Sequence, residues 1–277
     1  MLNAVKHPLM LLTLVILFGE HPTAGAQGLI FNLPEDGTGV EYEGEITYVT
    51  VRTDIAAGKE SITKAREMSI KSVGREDAEF EGQIQPCRWI EIKVITGTAG
   101  EAGIDPGPVG SRIYKVLVPE SKILATAVDA DLIPNIMLPV VRGYRRSGEA
   151  QVRPLKSSAI AFYPTICQLL NYPEPELIAA SETPQTKATN MSFNAKHLKG
   201  RVVMERTESR STNEAHFWIT DEVPFGLARW EVTVTREQKE STAPRDSFQE
   251  VVTTSSTMSV RRLLPIAESE LIIPQSN

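Results

Sequence analysis

Histidine is the side chain that most often serves acid–base catalysis and metal binding, and this sequence offers few of them. The chain of 277 residues has four histidines. His7 and His21 lie in an N-terminal segment that we expect to be removed, which leaves His197 and His216. These two belong to no HExxH or CxxC motif, so a zinc site of the usual composition is not expected. We predict that each is an ordinary surface or sheet residue, and we predict no metal or cofactor.

Other catalytic patterns are equally weak. The chain has no G-x-S-x-G elbow, and no S-x-x-K accompanied by the other β-lactamase motifs. Glu41, Glu43 and Glu45 share one face of a predicted strand, and Asp129 lies near Asp131. Glycosidases need two facing carboxylates about 5–10 Å apart, but acidic residues on an exposed strand more often keep its edge soluble. We therefore predict no catalytic residue.

The segment 97–110 is rich in glycine, and Gly97, Gly100 and Gly103 invite comparison with a phosphate-binding loop. Such a loop needs a following helix and usually a Lys-Ser/Thr pair. Asp105 and Pro106 follow instead, and then another strand. The segment is predicted to be a flexible hairpin loop.

Two cysteines, Cys87 and Cys167, leave two alternatives open. In an oxidising compartment they could form one disulfide that closes a long loop and stabilises the fold. They could equally be two buried thiols, since sequence alone does not place their Cβ atoms together.

The N-terminal 26 residues have the features of a secretory signal peptide. Lys6 supplies a positive start, an apolar run spans Leu9 to Phe18, and Ala24-Gly25-Ala26 forms a small-residue cleavage site before Gln27. The apolar run is about ten residues long, whereas a membrane-spanning helix needs roughly 20. We expect cleavage after residue 26, an exported periplasmic or extracellular protein, and no membrane span in the remainder.

Alternating apolar and polar residues predict strands through most of the remaining chain. Residues 120–175 are broken by prolines and read as short helical pieces. The expected fold is mainly β (α+β), a curved antiparallel sheet or half-open barrel with a helical insertion at about 120–175 packed on it. We assign residues 27–264 to one β-rich domain and residues 265–277 to a loose C-terminal tail. Segment 74–86 is expected to be a charged connection.

The net charge is −6, and it remains −6 when the signal peptide is removed, because one Lys and one Glu leave together. Mild acidity argues against a nucleic-acid partner. Arg142, Arg145 and Arg146 form the one basic cluster, extended by Arg153 and Lys156. This cluster could bind anionic lipid headgroups, polyanions or an acidic protein face; the alternative is a solvated helix face.

Aromatic residues fall on or beside the predicted strands. Trp89, Trp218, Phe225 and Trp230 are expected either to pack the sheet or to line an apolar pocket on its concave side, sized for a lipid.

Three segments carry a resemblance, namely residues 88–93 (RWIEIK), 114–120 (YKVLVPE) and 221–231 (DEVPFGLARWE). They resemble pieces of uncharacterised exported bacterial proteins, and their order is similar to that in the periplasmic lipoprotein-carrier superfamily. Members of that superfamily form an incomplete antiparallel barrel around helices. The resemblance implies a non-enzymatic role with an apolar cavity.

We therefore expect a soluble, exported cell-envelope protein that binds a hydrophobic ligand or a lipidated partner in a curved-sheet cavity. One alternative is a structural or interaction protein of the envelope with a filled core and no ligand. A hydrolase of unknown type is the third.

Overall fold

The structure is a computed structural model that describes residues 26–123, 138–156, 159–160, 166–172, 174–188 and 190–273. The predicted signal peptide therefore lies outside the described residues except for Ala26. The strands are β1 (Ala26–Gln27), β2 (Gly39–Val51), β3 (Lys59–Phe80), β4 (Gln83–Gly100), β5 (Gly103–Asp105), β6 (Arg112–Pro119), β7 (Leu138–Pro139), β8 (Arg142–Ser147), β9 (Arg153–Pro154), β10 (Ala159–Ile160), β11 (Asn171–Tyr172), β12 (Glu176–Glu182), β13 (Ala195–Glu205), β14 (Ser209–Ile219), β15 (Leu227–Gln238) and β16 (Gln249–Leu264). The described part also contains one short helix, α1 (Glu120–Ile123), and three 3₁₀ turns at Gly107–Val109, Pro224–Gly226 and Arg245–Ser247.

Twelve of the strands form one antiparallel sheet in the order β12-β13-β14-β15-β16-β2-β3-β4-β6-β8-β9, with β5 paired to β4. The sheet is curved and does not close on itself. The prediction of a mainly β fold built on a curved antiparallel sheet is confirmed. The predicted helical insertion receives little support: between residues 120 and 175 the described residues contain only α1 and the short strands β7 to β11.

The two faces of the sheet follow from the period-two alternation of its strands. We call the face that carries Tyr42, Met68, Ile92, Phe217 and Trp230 the core face, since all five side chains are buried. The other face, which carries Trp89, Glu91 and Lys93 on β4, is called the opposite face.

The expected charged connection at 74–86 is wrong, because β3 and β4 continue through it. Their hairpin turns only at Glu81 and Gly82, which have φ values of 53° and 78°. Positive φ at both central residues gives a two-residue turn whose twist matches paired strands. The charged side chains of this segment lie on the strands themselves.

Segments of the chain itself cover the core face. Leu29 and Ile30 are buried, and the Phe31 backbone N–H donates to the Phe225 carbonyl over 2.8 Å. Tyr172 stacks on Phe217 with ring centroids 5.5 Å apart, and its hydroxyl donates to Asn213 Oδ1 over 2.6 Å. Residues 29–33 and 166–172 thus fill the apolar part of the hollow.

Residues 265–273 pack on the opposite face, which corrects the prediction of a loose tail; residues 274–277 lie outside the described residues. Glu91, only 1% exposed, accepts hydrogen bonds from Ser269 Oγ (2.7 Å), the Glu270 N–H (2.9 Å) and the Leu271 N–H (3.0 Å). Lys71 and Lys93 each contact the Glu270 carboxylate at 2.6 Å. A buried carboxylate requires such donors, so the tail and Glu91 stabilise each other.

No disulfide joins Cys87 and Cys167. Cys87 packs with Trp89 and Leu117, whereas Cys167 belongs to the main core with Ile90 and Ile92. The two thiols are buried in separate clusters, and a bridge needs Cβ atoms about 3.5–4.5 Å apart. Of the two alternatives left open, the structure shows two buried thiols.

Gly200→Ala should destabilise the protein, because an added Cβ would lie 2.2 Å from Tyr172 Cγ. We expect the free energy of unfolding to fall by about 1–3 kcal/mol, as for other overpacked cores. Gly100→Ala is the matched control: its Cβ would come no closer than 3.4 Å to the nearest atom, the Gly103 carbonyl oxygen. Urea unfolding measures both variants, and equal losses in the two would contradict this packing.

The two thiols should resist modification in the native state. Burial raises the pKa of Cys167 to about 12 and also raises that of Cys87, while reaction requires the thiolate. We expect an aromatic disulfide reagent to label neither cysteine in native protein and both in denaturant. A disulfide, in contrast, would leave no reactive thiol in denaturant until a reductant is added.

Candidate functional site

The structure separates the four aromatic residues predicted to line a pocket. Phe225 and Trp230 are fully buried in the main core, where the Trp230 ring meets the edge of Tyr42 at 4.8 Å. Trp89 and Trp218 lie on the opposite face, on strands far apart in the sheet order. The four rings therefore do not form one cavity wall.

The predicted arginine patch is also divided. On β8, Arg142 and Arg146 point to the opposite face, whereas Arg145 points to the core face, as the alternation of a strand requires. Arg142 contacts the Glu76 carboxylate and lies 5.4 Å from the Trp89 ring centroid. The three arginines thus do not form one surface.

The carboxylates considered in the sequence as a catalytic pair do not face each other across a cleft. Glu41 and Glu43 lie on the opposite face of β2 and contact Arg262 and Arg261. Asp129 and Asp131 lie outside the described residues. The Gly-rich segment 97–110 forms the β4–β5 hairpin with a 3₁₀ turn after it, so the hairpin prediction is confirmed.

A cationic pocket lies on the core face, beyond the segment that fills its apolar part. The sheet continues there with Tyr48 on β2, Lys64 and Arg66 on β3, and Arg112 on β6. The cavity has a volume of about 330 Å³; its other described lining residues are Val94, Thr96, Pro106, Gly110 and Ile166. None of the described lining residues is acidic, so this cavity is positively charged.

Arg66 is the distinctive group of the cationic pocket. It is 5% exposed, its Nε donates to Thr96 Oγ1 over 2.9 Å, and its Nη1 donates to the Ile166 carbonyl over 2.6 Å. Neither acceptor is charged. Burial lowers the pKa of Arg66, and nearby Arg112 lowers it further, yet a guanidinium stays protonated in proteins. Arg66 is therefore a buried cation whose charge no described carboxylate neutralises.

Arg88 shows how the same fold normally accommodates a buried guanidinium. It is also 5% exposed, but it forms an ion pair with Glu120 at 3.0 Å. It donates as well to Ser72 Oγ over 2.8 Å and to the Pro34 carbonyl over 2.9 Å. The difference between Arg88 and Arg66 is the carboxylate, and an unneutralised buried charge is costly.

Sequence reasoning missed the cationic pocket although a signal was present. Lys64 and Arg66 alternate in sequence with the same period as Met68 and Ile70, which are buried on the core face. Two cations that continue an apolar alternation indicate a charged end of the core face.

A second cluster lies on the opposite face. His197 Nδ1 is 2.7 Å from Glu182 Oε2, and His197 Nε2 is 2.9 Å from His216 Nδ1. Both histidines lie on strands, as predicted, but the sequence analysis did not predict that they touch. His197 is 9% exposed and stacks on Trp218 with ring centroids 4.2 Å apart. A carboxylate and two imidazoles thus form one hydrogen-bonded row.

Ionisation in this row is set by its neighbours. The pKa of Glu182 lies below its usual value because the Trp218 indole N–H, the hydrogen bond to His197 and the charge of Arg229 favour the carboxylate. The indole N–H lies near this carboxylate without reaching hydrogen-bond geometry, so His197 makes the defined contact. Burial, followed by the charges of His197 and Lys199, lowers the pKa of His216.

No protein-family model matches this sequence, and the search of curated proteins found no significant match. Among the described residues, no helix has the length and apolar character needed to cross a lipid bilayer.

Replacing the two buried arginines by methionine should have opposite consequences. In ligand-free protein, Arg66→Met removes an unneutralised buried charge, so we expect the free energy of unfolding to stay within about 1 kcal/mol or to rise. Arg88→Met leaves Glu120 with only the exposed Arg75 as a partner and removes the donor to the Pro34 carbonyl, so it should cost about 1–3 kcal/mol. Chemical denaturation of both variants at low salt tests this, and similar large losses would show that Arg66 is satisfied within the protein.

Proposed function

We propose that this chain is an exported, non-enzymatic binding protein whose ligand is an anionic amphiphile, held by its acidic headgroup in the cationic pocket. The observation that supports this is the buried, unneutralised guanidinium of Arg66. A carboxylate or phosphate placed against it would supply the missing counter-charge and form charge-assisted hydrogen bonds.

The charge distribution supports a headgroup at this position. The protein is acidic overall, yet Lys64 and Arg112 join Arg66 around one cavity and form no ion pair with any described residue. Elsewhere, exposed arginines such as Arg52 and Arg245 do contact carboxylates. Clustered like charges repel each other, and an anion bound among them relieves that repulsion.

The pocket walls limit the apolar part of the ligand. Tyr48, Val94 and Ile166 offer apolar surface beside the cations, whereas residues 29–33 and 166–172 already fill the adjoining core. An acyl chain would therefore lie along the pocket and its mouth, unless it displaces the 166–172 segment. The carrier resemblance implies a half-open barrel that holds a hydrophobic ligand or a lipidated partner. This proposal keeps that idea only for an acyl chain that lies along the pocket and its mouth.

Export rests on the N-terminal sequence alone. Cleavage after Ala26 would leave Gln27 as the first residue, two positions before the buried Leu29. The proposed mature chain would thus keep the segment that fills the core, and the protein would act in the periplasm or outside the cell.

A structural or interaction role in the cell envelope is the second candidate function. The filled core favours it, because Leu29, Ile30, Leu169 and Tyr172 occupy the space in which a fully buried lipid would lie. In that case the cationic pocket would contact an acidic side chain of another protein.

A fluorescent long-chain fatty acid titrated against the purified protein tests the proposed function. We expect saturable binding that weakens at least tenfold (about 1.4 kcal/mol) in Arg66→Met. Arg201→Met is the control, since Arg201 is exposed and pairs with Glu214; it should bind normally. The alcohol of equal chain length should bind at least tenfold more weakly than the acid.

Inorganic phosphate separates the possible sources of the anion. Competition by millimolar phosphate would indicate that the headgroup alone is recognised, while no competition would indicate that the chain contributes. Absence of saturable fatty-acid binding, together with no lipid in the purified protein by mass spectrometry, would exclude the amphiphile and favour the structural role.

A further inference from the structure

We propose that His197 and His216 bind a divalent transition metal ion, with Glu182 orienting His197 from behind. This site is separate from the cationic pocket, because His197 and His216 lie on the opposite face of the sheet. The sequence predicted no metal because it contains no metal-binding motif. The proposed site uses two histidines that belong to no such motif.

The hydrogen bonds determine which ring nitrogens are available. An ionised carboxylate only accepts, so His197 Nδ1 carries a proton and donates it to Glu182. In neutral His197 the Nε2 atom then has a lone pair, which accepts from the Nδ1–H of His216. The arrangement of Glu182 on His197 is the carboxylate–histidine pair that fixes the tautomer of metal ligands in proteins.

The distance between the two histidines suits a shared ion. Bonds from imidazole nitrogen to zinc are about 2.0–2.1 Å long, so two of them span about 2.9 Å at the right angle of octahedral coordination and about 3.3 Å at the tetrahedral angle. His197 Nε2 and His216 Nδ1 are separated by 2.9 Å. Both nitrogens now point along one hydrogen bond, so the less buried His216 ring must turn by tens of degrees before both lone pairs meet at one ion. His216 moves its proton from Nδ1 to Nε2, so no proton is lost.

The strands hold this geometry in place. In the β13–β14 hairpin His197 lies opposite Trp218, and His216 is its diagonal neighbour on the same face. Trp218 stacks on His197, and the Arg229 guanidinium lies 5.4 Å from the Trp218 ring centroid. The His197 ring is thus clamped between the indole and Glu182, which lowers the entropy lost on metal binding.

The composition of the site limits the metal class. No group of three or more metal-ligating side chains occurs among the described residues, so water would complete the coordination. Glu231 faces His216 across the β14–β15 pair, but it contacts Arg229. Imidazole ligands favour Zn²⁺, Ni²⁺ and Cu²⁺ over Ca²⁺ or Mg²⁺. The expected occupant is one of these three, bound more weakly than in a three- or four-ligand site.

The full chain with His7 and His21 changed to Gln tests the proposal, since it keeps only the two histidines of interest. Isothermal titration with NiCl₂ or ZnCl₂ at pH 7.5 should show one saturable site. His216→Gln should weaken binding at least tenfold, and Glu182→Gln should weaken it about tenfold, as for other groups behind a metal ligand. Glu222→Gln, a nearby carboxylate outside the row, should change nothing.

The pH dependence of metal affinity is a further test, because histidines that only stabilise the sheet would not produce it. Binding requires neutral imidazoles, so affinity should fall as the pH is lowered into the acidic range. The charged groups that face the pair are Glu182 on β12, Lys199 on β13, Glu214 on β14, and Arg229 and Glu231 on β15. No binding at 100 μM metal and pH 7.5, or unchanged binding in His216→Gln, would overturn the proposal.

Discussion

The pairing of β16 with β2 is the constraint on which the rest of the structure depends. It joins the last long strand to the first over most of their length, from Val252 opposite Thr50 to Leu264 opposite Gly39. Without this ladder the sheet would be two smaller sheets, one of β2 to β6, β8 and β9 and the other of β12 to β16. With it, Tyr42 meets Trp230 and the apolar side chains of both halves share one core face. Gly44 is required in this ladder, because a Cβ there would lie 1.9 Å from the Thr257 carbonyl oxygen.

Glu91 and Arg88 show how this sheet compensates a buried charge. On the opposite face, Glu91 is hydrogen-bonded by the C-terminal segment and lies 3.9 Å from Lys71 Nζ, so its charge holds residues 265–273 in place. On the core face, Arg88 is paired with Glu120 while Arg66 has only neutral acceptors. Since the fold evidently can provide carboxylates for buried cations, the exception at Arg66 is informative, and it lies where the core meets an open cavity.

Alternation along the chain predicted the antiparallel sheet and most of its long strands, because a one-residue change in register would turn every apolar side chain outward. It did not predict β8, which lies in the segment read as short helical pieces. It did not predict how far β3 and β4 extend, since charged residues at 74–86 occupy strands whose side chains reach water. Nor did it predict the packing of the tail, which depends on three donors that meet Glu91 from about 180 residues away in sequence.

The contact between His197 and His216 could be predicted only in part from the sequence. Each strand was recognised from its pattern, but the contact depends on the register of the β13–β14 hairpin. That register is set by the turn at 206–208, whose sequence Arg-Thr-Glu carries no Gly, Asn or Asp signal. A turn one residue longer or shorter would put the two imidazoles on different faces. Pairwise chemistry across a sheet is therefore harder to predict than the sheet itself.

The unneutralised Arg66 links stability to function in this protein. Methionine at this position would pack against Val94 and Ile166 without the desolvation cost of a guanidinium, so stability alone does not explain an arginine there. A ligand that binds only the folded state adds its binding free energy to the stability of the protein. An anion bound at Arg66 would add more than one bound at an exposed arginine, because the Arg66 charge is buried. The cost of the buried cation in the ligand-free protein is then the source of its affinity for the anion.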